Sequence, residues 1–383
     1  MPTLYIASIA FALLALASCG YFLLCLWSAS RFLLRNNLSP DFTPPVSILK
    51  PLRGMDREMY ECFRSHCLQN YPGFEIIFGV SDLRDPAVPL VEQLQQEFPG
   101  CTICLLHCEQ VLGPNAKVSN LAQMARHARS QYLVVSDSDI RVPPDYLRRV
   151  MAHLANDRNG LITCLYLGTA AATMGSRLEA LSISTDFAPG VLAAWQIEGG
   201  LRFGLGSTLA FRRADLEKIG GFDALADYLA DDYELGRRIH SLGRKVILSE
   251  AVVETVLPAY SFREFLVHQL RWSRTIRAAR PAGHLGLIFT FGIPWALLSV
   301  LFACGTSWPW LLLLVVLLLR FATGAVVGAY ALRDRQALRW LWLLPLRDLL
   351  APVIWAASYF GSAVTWRGDS FTLREGKLVR ADS

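Results

Sequence analysis

Carboxylates set the chemistry this sequence could perform. Asp137 and Asp139 stand one residue apart just after the apolar run Tyr132-Leu133-Val134-Val135, Asp82 follows the apolar residues 76–80, and Asp231 and Asp232 are adjacent at the start of a helical pattern. Two carboxylates about 5 Å apart repel by about 3 kcal/mol at an effective dielectric of about 20, so a pair held that close calls for a cation beside it. A hard divalent ion such as Mg2+ or Mn2+ suits oxygen ligands. The same residue types also serve strand-end turns and helix caps, so the Asp-x-Asp spacing alone leaves both readings open.

The elements around these acids alternate. Strands are expected at residues 46–49, 76–80, 102–106 and 132–135, and helices at 58–69, 87–98 and 119–128. Short β-branched apolar runs between amphipathic stretches predict a doubly wound α/β sheet, whose ligands bind beyond the carboxyl ends of the strands. Lys50, Asp82 and Asp137 would then line one edge. Gly113-Pro114-Asn115-Ala116-Lys117-Val118-Ser119-Asn120 brings a lysine and two amides to a helix amino end. A nucleotide diphosphate would fit there, and a solvated turn with a cap is the alternative. Past residue 160 the alternation loosens. Residues 182–203 carry few regular signals, Gly204-Leu205-Gly206-Ser207-Thr208 introduces a strand, and residues 228–235 stand at the start of a helix that runs to about Leu242 and is stopped by Gly243.

At 53% hydrophobic against 18% charged, the 383 residues are too apolar for an ordinary soluble enzyme. Residues 4–27 are uncharged and long enough to cross a hydrocarbon core of about 30 Å. Arg31 and Arg35 follow rather than precede them, which predicts an uncleaved anchor with its carboxyl side in the cytoplasm. Residues 40–45 read as a stiff connector. Further crossings are expected at 285–304, 308–330 and 341–366, the last interrupted by Arg347 and Asp348. Three crossings would put the tail outside, whereas Arg367, Arg374, Lys377 and Arg380 favour the inside. A basic helix at 262–280, with Phe262, Phe265, Leu266 and Ile276 on one face and His268 and Arg271 opposite, reads as interfacial or as a juxtamembrane collar. The net charge of +5 is modest and its arginines flank apolar segments, which points to a bilayer surface and not to nucleic acid. The scattered cysteines suggest reduced thiols, and Cys101, Cys104, His107 and Cys108 lie in a strand-like segment that cannot easily curl around one zinc ion.

In order, Lys50-Pro51-Leu52-Arg53-Gly54, Val80-Ser81-Asp82, Asn115 to Asn120, Asp137-Ser138-Asp139, Ala230-Asp231-Asp232-Tyr233 and Arg271-Trp272 resemble the ceramide glucosyltransferase family of membrane glycosyltransferases. The phrasing of residues 137–146 and 226–233 is similar to that of the hopanoid-biosynthesis-associated members. The resemblance implies a GT-A (Rossmann-like nucleotide-sugar-binding) domain with membrane helices at both ends. It implies a UDP-sugar donor and a membrane lipid acceptor, UDP-N-acetylglucosamine and a bacteriohopanepolyol being the first choice and UDP-glucose with ceramide or another lipid alcohol the alternative. Asp82 matches the uracil and ribose position, Lys117 a diphosphate-side position, Asp137 and Asp139 the metal and diphosphate site, and Asp232 the catalytic base. Lys50, Asn120 and Asp231 fall within the matched donor motifs. Arg271 and Trp272 match the end of the Gln/Arg-x-x-Arg-Trp motif, whose first position is His268 here. An apolar acceptor channel is expected between residues 182–203 and the basic helix. The implied division is an anchor at 1–30, a cytoplasmic catalytic domain at 31–258, the interfacial helix at 259–283, membrane segments at 284–366 and a tail at 367–383, in a protein of the bacterial inner membrane. A non-catalytic lipid-binding membrane protein with the same folds is the reading from another class.

Overall fold

The computed structural model describes residues 2–35, 42–366 and 369–380. Pro40 and Asp41 of the expected connector, and Arg367 of the basic tail, lie outside the described residues. The chain forms two compact units, each discontinuous in sequence: Arg35–Thr169 with Glu198–Pro258 and Phe371–Ser383, and Met1–Leu34 with Ala170–Ile197 and Ala259–Ser370.

The first unit is built on an eight-stranded mixed sheet. Its strands are β1 (Val46–Pro51), β2 (Phe74–Val80), β3 (Thr102–His107), β4 (Tyr132–Val135), β5 (Ile140–Arg141), β6 (Asn159–Thr169), β7 (Leu209–Arg212) and β8 (Lys245–Val256), ordered β3-β2-β1-β4-β7-β6-β8-β5. The half β3-β2-β1-β4 is parallel, with Leu49 opposite both Ile77 and Val135, so the carboxyl ends of these strands share one edge. Every residue of β1 is buried, and Ile48, Ile76, Phe78 and Val134 belong to one core with Phe63 and Tyr146 from the flanking helices. This is the near-continuous apolar patterning that a sheet covered on both faces requires. Beyond β4 the sheet turns antiparallel, through β7. Residues 369–380 close on themselves as an antiparallel hairpin, with Leu373 opposite Leu378.

The helix Ala116–His127 begins three residues before the expected start. Asn115 caps it, its side chain accepting from the Val118 N–H at 3.1 Å, so Lys117 stands in the first turn. The helix Asp231–Ser241 packs backbone to backbone against residues 203–204: a Cβ on Gly236 would come 2.2 Å from the Gly204 nitrogen.

The second unit is helical. Pro2–Leu33 matches the expected anchor, and Thr3–Leu33, Trp308–Ala331 and Arg335–Ala357 are long and apolar enough to cross a membrane, with Pro281–Thr290 and Gly292–Leu301 as a fourth if this pair, bent by 51°, is one span. The last segment was expected at 341–366, but its helix starts at Arg335 and ends at Ala357, and Ala363–Trp366 is a strand. Residues 182–203 also differ from expectation, since Met174–Ser182, a π-helical turn at Ile183–Phe187 and Ala188–Ile197 make one nearly continuous helical run, interior to this unit. The helix Phe262–Ala279 buries Phe265 against Leu178, Leu181, Leu343 and Leu344, while Phe262 and Ile276 are exposed, so the expected apolar face is only partly covered by protein.

An alanine in an open helical site stabilises relative to glycine by about 1 kcal/mol, whereas overpacking costs about 1–3 kcal/mol. The second effect governs here. Gly236→Ala should lower the denaturation midpoint of the detergent-solubilised protein, and an unchanged or raised midpoint would contradict the close packing of this helix.

Candidate active site

Two separate chain segments bring their acids to one lysine. The Lys117 ammonium lies 2.7 Å from Asp137 Oδ1, beyond β4, and 3.5 Å from Asp231 Oδ2, in the first turn of the helix Asp231–Ser241. Burial alone would depress this lysine, but the charges of Asp137 and Asp231 outweigh it and raise its pKa. Asp232 Oδ1 accepts from its neighbour's N–H, Tyr233, at 2.7 Å. Its Oδ2 and the Oδ2 of Asp137 face one Cβ-sized space above Gly206, where a side-chain carbon would sit 3.2 Å from the first and 3.4 Å from the second. Glycine at 206 therefore keeps open the gap between two acids that are far apart in sequence. Burial, with the adjoining Asp231 charge, pushes the Asp232 carboxyl up to about 6, and burial also raises Asp231.

The Asp137-Ser138-Asp139 turn is braced on several sides. Ser138 Oγ donates to Asp56 at 2.6 Å, Thr255 Oγ1 donates to Asp139 Oδ2 at 2.6 Å, and the Asp139 carbonyl accepts from the Val256 N–H at 2.9 Å. Burial and the Asp137 charge push the Asp139 carboxyl up to about 6. Four carboxylates, at 137, 139, 231 and 232, thus stand against the ammonium groups of Lys50 and Lys117. That excess of hard oxygen charge, with Asp137 and Asp139 one residue apart on the same turn, fits a divalent cation. Among the described residues, no group of three or more His, Cys, Asp or Glu is placed to hold a metal ion, so the chain would supply two such ligands and waters or substrate oxygens would fill the remaining positions.

Other expected donor residues sit differently. Lys50 does not project from the strand edge: it is fully buried beneath the turn, donating to the Asp137 carbonyl at 2.8 Å and to Ser136 Oγ at 3.2 Å, with His66 Nε2 at 3.5 Å. Burial lowers its pKa to about 8, and burial with the Lys50 charge holds His66 well below its usual range. His66 is therefore neutral, and its Nδ1, 2.9 Å from the Cys62 carbonyl, is assigned as the protonated nitrogen. Asn120 is likewise buried, accepting from Ser81 Oγ at 2.9 Å, so it steadies the loop that carries Asp82. Asp82 is exposed and accepts from the Arg84 N–H at 2.9 Å, and that bond, with the guanidinium, holds its pKa down. His268, Arg271 and Trp272 belong to the helical unit. There His268 Nδ1 is 3.2 Å from the fully buried Glu179, and its ring stacks on Tyr260 and lies tilted against Trp272, each at 5.3 Å, so the side opposite the apolar face is packed against protein. Cys101 and Cys104 point to different partners, the Cys67 carbonyl and His127.

Sequence reasoning missed Asp56, Thr255 and Glu179. Asp56 lies six residues past Lys50, after a strand end already singled out, and was within reach of the same logic. Thr255 and Glu179 act through partners some 90 to 120 positions away, and no local pattern marks them.

The sequence matches glycosyl transferase family 21 over residues 10–379. The chain belongs to that family. It is similar to ceramide glucosyltransferase 1 of Caenorhabditis elegans, 24% identical over 97% of this chain and 82% of the relative. Ceramide glucosyltransferase 3 of the same organism is 24% identical over 92% and 78%. The ceramide glucosyltransferase of Candida albicans is 32% identical, over 30% of this chain and 23% of the relative. Among solved structures, a mannosyltransferase from Pyrobaculum calidifontis, in complex with GDP-Man and Mn2+, superposes with a TM-score of 0.55 at 20% identity, covering 93% of this chain and 96% of that one. This family 21 protein is a glycosyltransferase with the expected GT-A-like fold, and the apolar helices toward the two ends of its sequence are candidate membrane spans.

A charged hydrogen bond to a buried group is worth about 1.5–3 kcal/mol. Lys50→Met should cost stability in that range and slow the transferase, with the concentration of Mg2+ or Mn2+ needed for half-maximal rate rising. A variant as fast and stable as the parent would remove Lys50 from the support of Asp137.

Proposed function

We propose that this family 21 glycosyltransferase is an inverting enzyme that moves glucose from UDP-glucose to the hydroxyl of ceramide or a related membrane lipid alcohol. The observation that carries the catalytic part is the convergence of Asp137, Asp231 and Asp232 on Lys117 and the Gly206 space. The similarity over most of the chain to two ceramide glucosyltransferases supports the choice of sugar and acceptor. The rival choice is UDP-N-acetylglucosamine with a bacteriohopanepolyol, favoured by the phrasing of residues 137–146 and 226–233. The catalytic unit lies on the cytoplasmic side, as Arg31 and Arg35 after the anchor suggest, which in a bacterium means the inner membrane.

In this reading Asp232 is the general base. A lipid hydroxyl is a poor nucleophile near neutral pH, and a carboxylate whose pKa is near 6 is ionised there yet more basic than an ordinary aspartate. Taking the proton as the hydroxyl attacks the face opposite the diphosphate needs no covalent intermediate and turns an α-linked donor into a β-glycoside. Asp82 holds the uracil and ribose end of the donor. Lys117, kept charged by its acids, and Arg271 balance the charge that gathers on the departing diphosphate. Asp137 and Asp139 would hold Mg2+ or Mn2+, which when bound supplies further neutralisation of the diphosphate. The Mn2+ in the Pyrobaculum calidifontis mannosyltransferase complex supports this choice. Lys50 and Asn120 act one layer back, as positioning residues for Asp137 and Asp82. Residues 182–197 and the helix bearing His268 and Trp272, whose ring lies 5.7 Å from Phe187, supply the apolar acceptor side.

Two measurements test this. Asp232→Asn should reduce kcat by at least about a hundredfold, the lower end of general-base contributions. The parent's kcat should fall below pH 6, because protonation removes the base, with an apparent pKa belonging to the Asp231–Asp232 cluster. Retained activity in the asparagine variant would exclude Asp232 as the base. Mass spectrometry after incubating membranes with each donor and lipid should give ceramide heavier by one hexose. A product found only with UDP-N-acetylglucosamine and a hopanoid polyol would transfer the assignment to the rival.

A further inference from the structure

Residues 371–380 form an antiparallel hairpin. Glu375 and Gly376 both have positive φ, 50° and 79°, between the paired Arg374 and Lys377, the geometry of a tight two-residue turn. Phe371, Leu373 and Leu378 are buried. Its second strand does not stop at its own partner. The Leu378 N–H donates to the Asp227 carbonyl at 2.7 Å, Lys377 pairs in antiparallel fashion with Tyr228, and the Lys377 ammonium lies 5.5 Å from the centre of the Tyr228 ring. The opposite side of this loop is held by Asn115, whose N–H donates to the Ala226 carbonyl at 2.9 Å and whose side-chain amide donates to the Tyr228 carbonyl at 2.7 Å. The loop is thus gripped between the start of the Lys117 helix and the hairpin, and three residues past Tyr228 the chain reaches Asp231. The hairpin strand also borders, with Val111 to Pro114, a cavity of about 510 Å³ beside the same helix start.

We infer that the 371–380 hairpin is a strap that positions the active site: it returns to the catalytic unit on that unit's side of the membrane, clamps residues 226–228, and through them fixes Asp231 and Asp232. A consequence concerns topology. The chain leaves the catalytic unit at Pro258 and rejoins it at Phe371, so the helices between them cross the membrane an even number of times. The basic residues of the tail and the apolar segments, which pointed opposite ways in the sequence, are then compatible, because one of the three expected carboxyl-terminal segments does not complete a crossing. This inference rests on the assignment of Asp232 as the base only for its catalytic readout.

The test uses the full chain. Leu378→Pro deletes the N–H that grips Asp227, whereas Leu378→Val keeps it. The proline variant should lose at least tenfold in kcat while its thermal midpoint stays within a few degrees of the valine variant, whose kcat should remain within twofold of the parent. Equal kcat in the two variants overturns the strap. Independently of activity, in a Cys304→Ser background, Arg374→Cys should react with a membrane-impermeant maleimide in the same vesicle orientation as Glu92→Cys of the catalytic unit, and Tyr228→Cys with Lys377→Cys should cross-link on oxidation. Labelling of Arg374→Cys only from the opposite side, or no cross-link, overturns it as well. If Asp232→Asn remains active while the labelling and cross-link succeed, the catalytic assignment fails and the strap stands.

Discussion

The ion cluster around Lys117 is the constraint on which the rest depends. Three acids from two parts of the chain lie near one another in a partly buried setting, where their repulsion and the cost of desolvation both oppose ionisation. The lysine offsets part of that cost only because it reaches Asp137 at 2.7 Å and Asp231 at 3.5 Å. Those distances in turn demand that the first turn of its helix, the end of β4 and the first turn of the Asp231–Ser241 helix meet at one point. The close approach of Gly236 to Gly204 and the bare face of Gly206 are what allow that meeting without a side chain in the way.

The two buried lysines show how partners decide the sign of a shift. Both lose hydration. Lys50 recovers it from a carbonyl, a hydroxyl and a neutral imidazole, so the charged form remains penalised and its pKa falls to about 8. Lys117 recovers it from carboxylates, and its pKa rises. The difference separates their surroundings. Lys50 is a structural donor that shapes the backbone under Asp137, while Lys117 is a permanent charge among carboxylates.

The half-sheet was legible in the sequence because β1 to β4 are short apolar runs separated by amphipathic helices, and the parallel register puts their carboxyl ends together without further information. Asp137, Asp231 and Asp232 were legible for a related reason: charge at the end of an apolar run or at a helix start is a local signal. Lys50 occupied the same kind of position and was misleading, since whether a strand-end side chain turns inward or outward depends on what lies beneath it. Here His66 and Ser136, at 16 and 86 positions' remove, provide the pocket. The helical run 174–197 was invisible because Pro189 and Gly190 weaken its propensity, and burial within the helical unit supplies what local preference lacks.

The charges at 347 and 348 make the same point inside the membrane region. Adjacent on one helix, Arg347 and Asp348 look like an interruption of an apolar segment, and their mutual approach is a loose 3.6 Å. Each is instead neutralised by another element. Asp348 accepts two bonds from the Arg320 guanidinium, at 2.7 and 2.9 Å, and Arg320 also donates to the Thr185 carbonyl at 2.8 Å. Arg347 pairs with Asp186 and donates to Ser182. Both links end on the π-helical turn Ile183–Phe187 or the residue before it. A buried pair of this kind adds little net stability over apolar packing, but removing one partner leaves a charge uncompensated at about 3–5 kcal/mol. The energetic asymmetry penalises any helix register that separates the partners far more than it rewards the correct one, so these charges fix the alignment of Trp308–Ala331 and Arg335–Ala357 against residues 182–186, next to Phe187, whose ring lies 5.7 Å from that of Trp272.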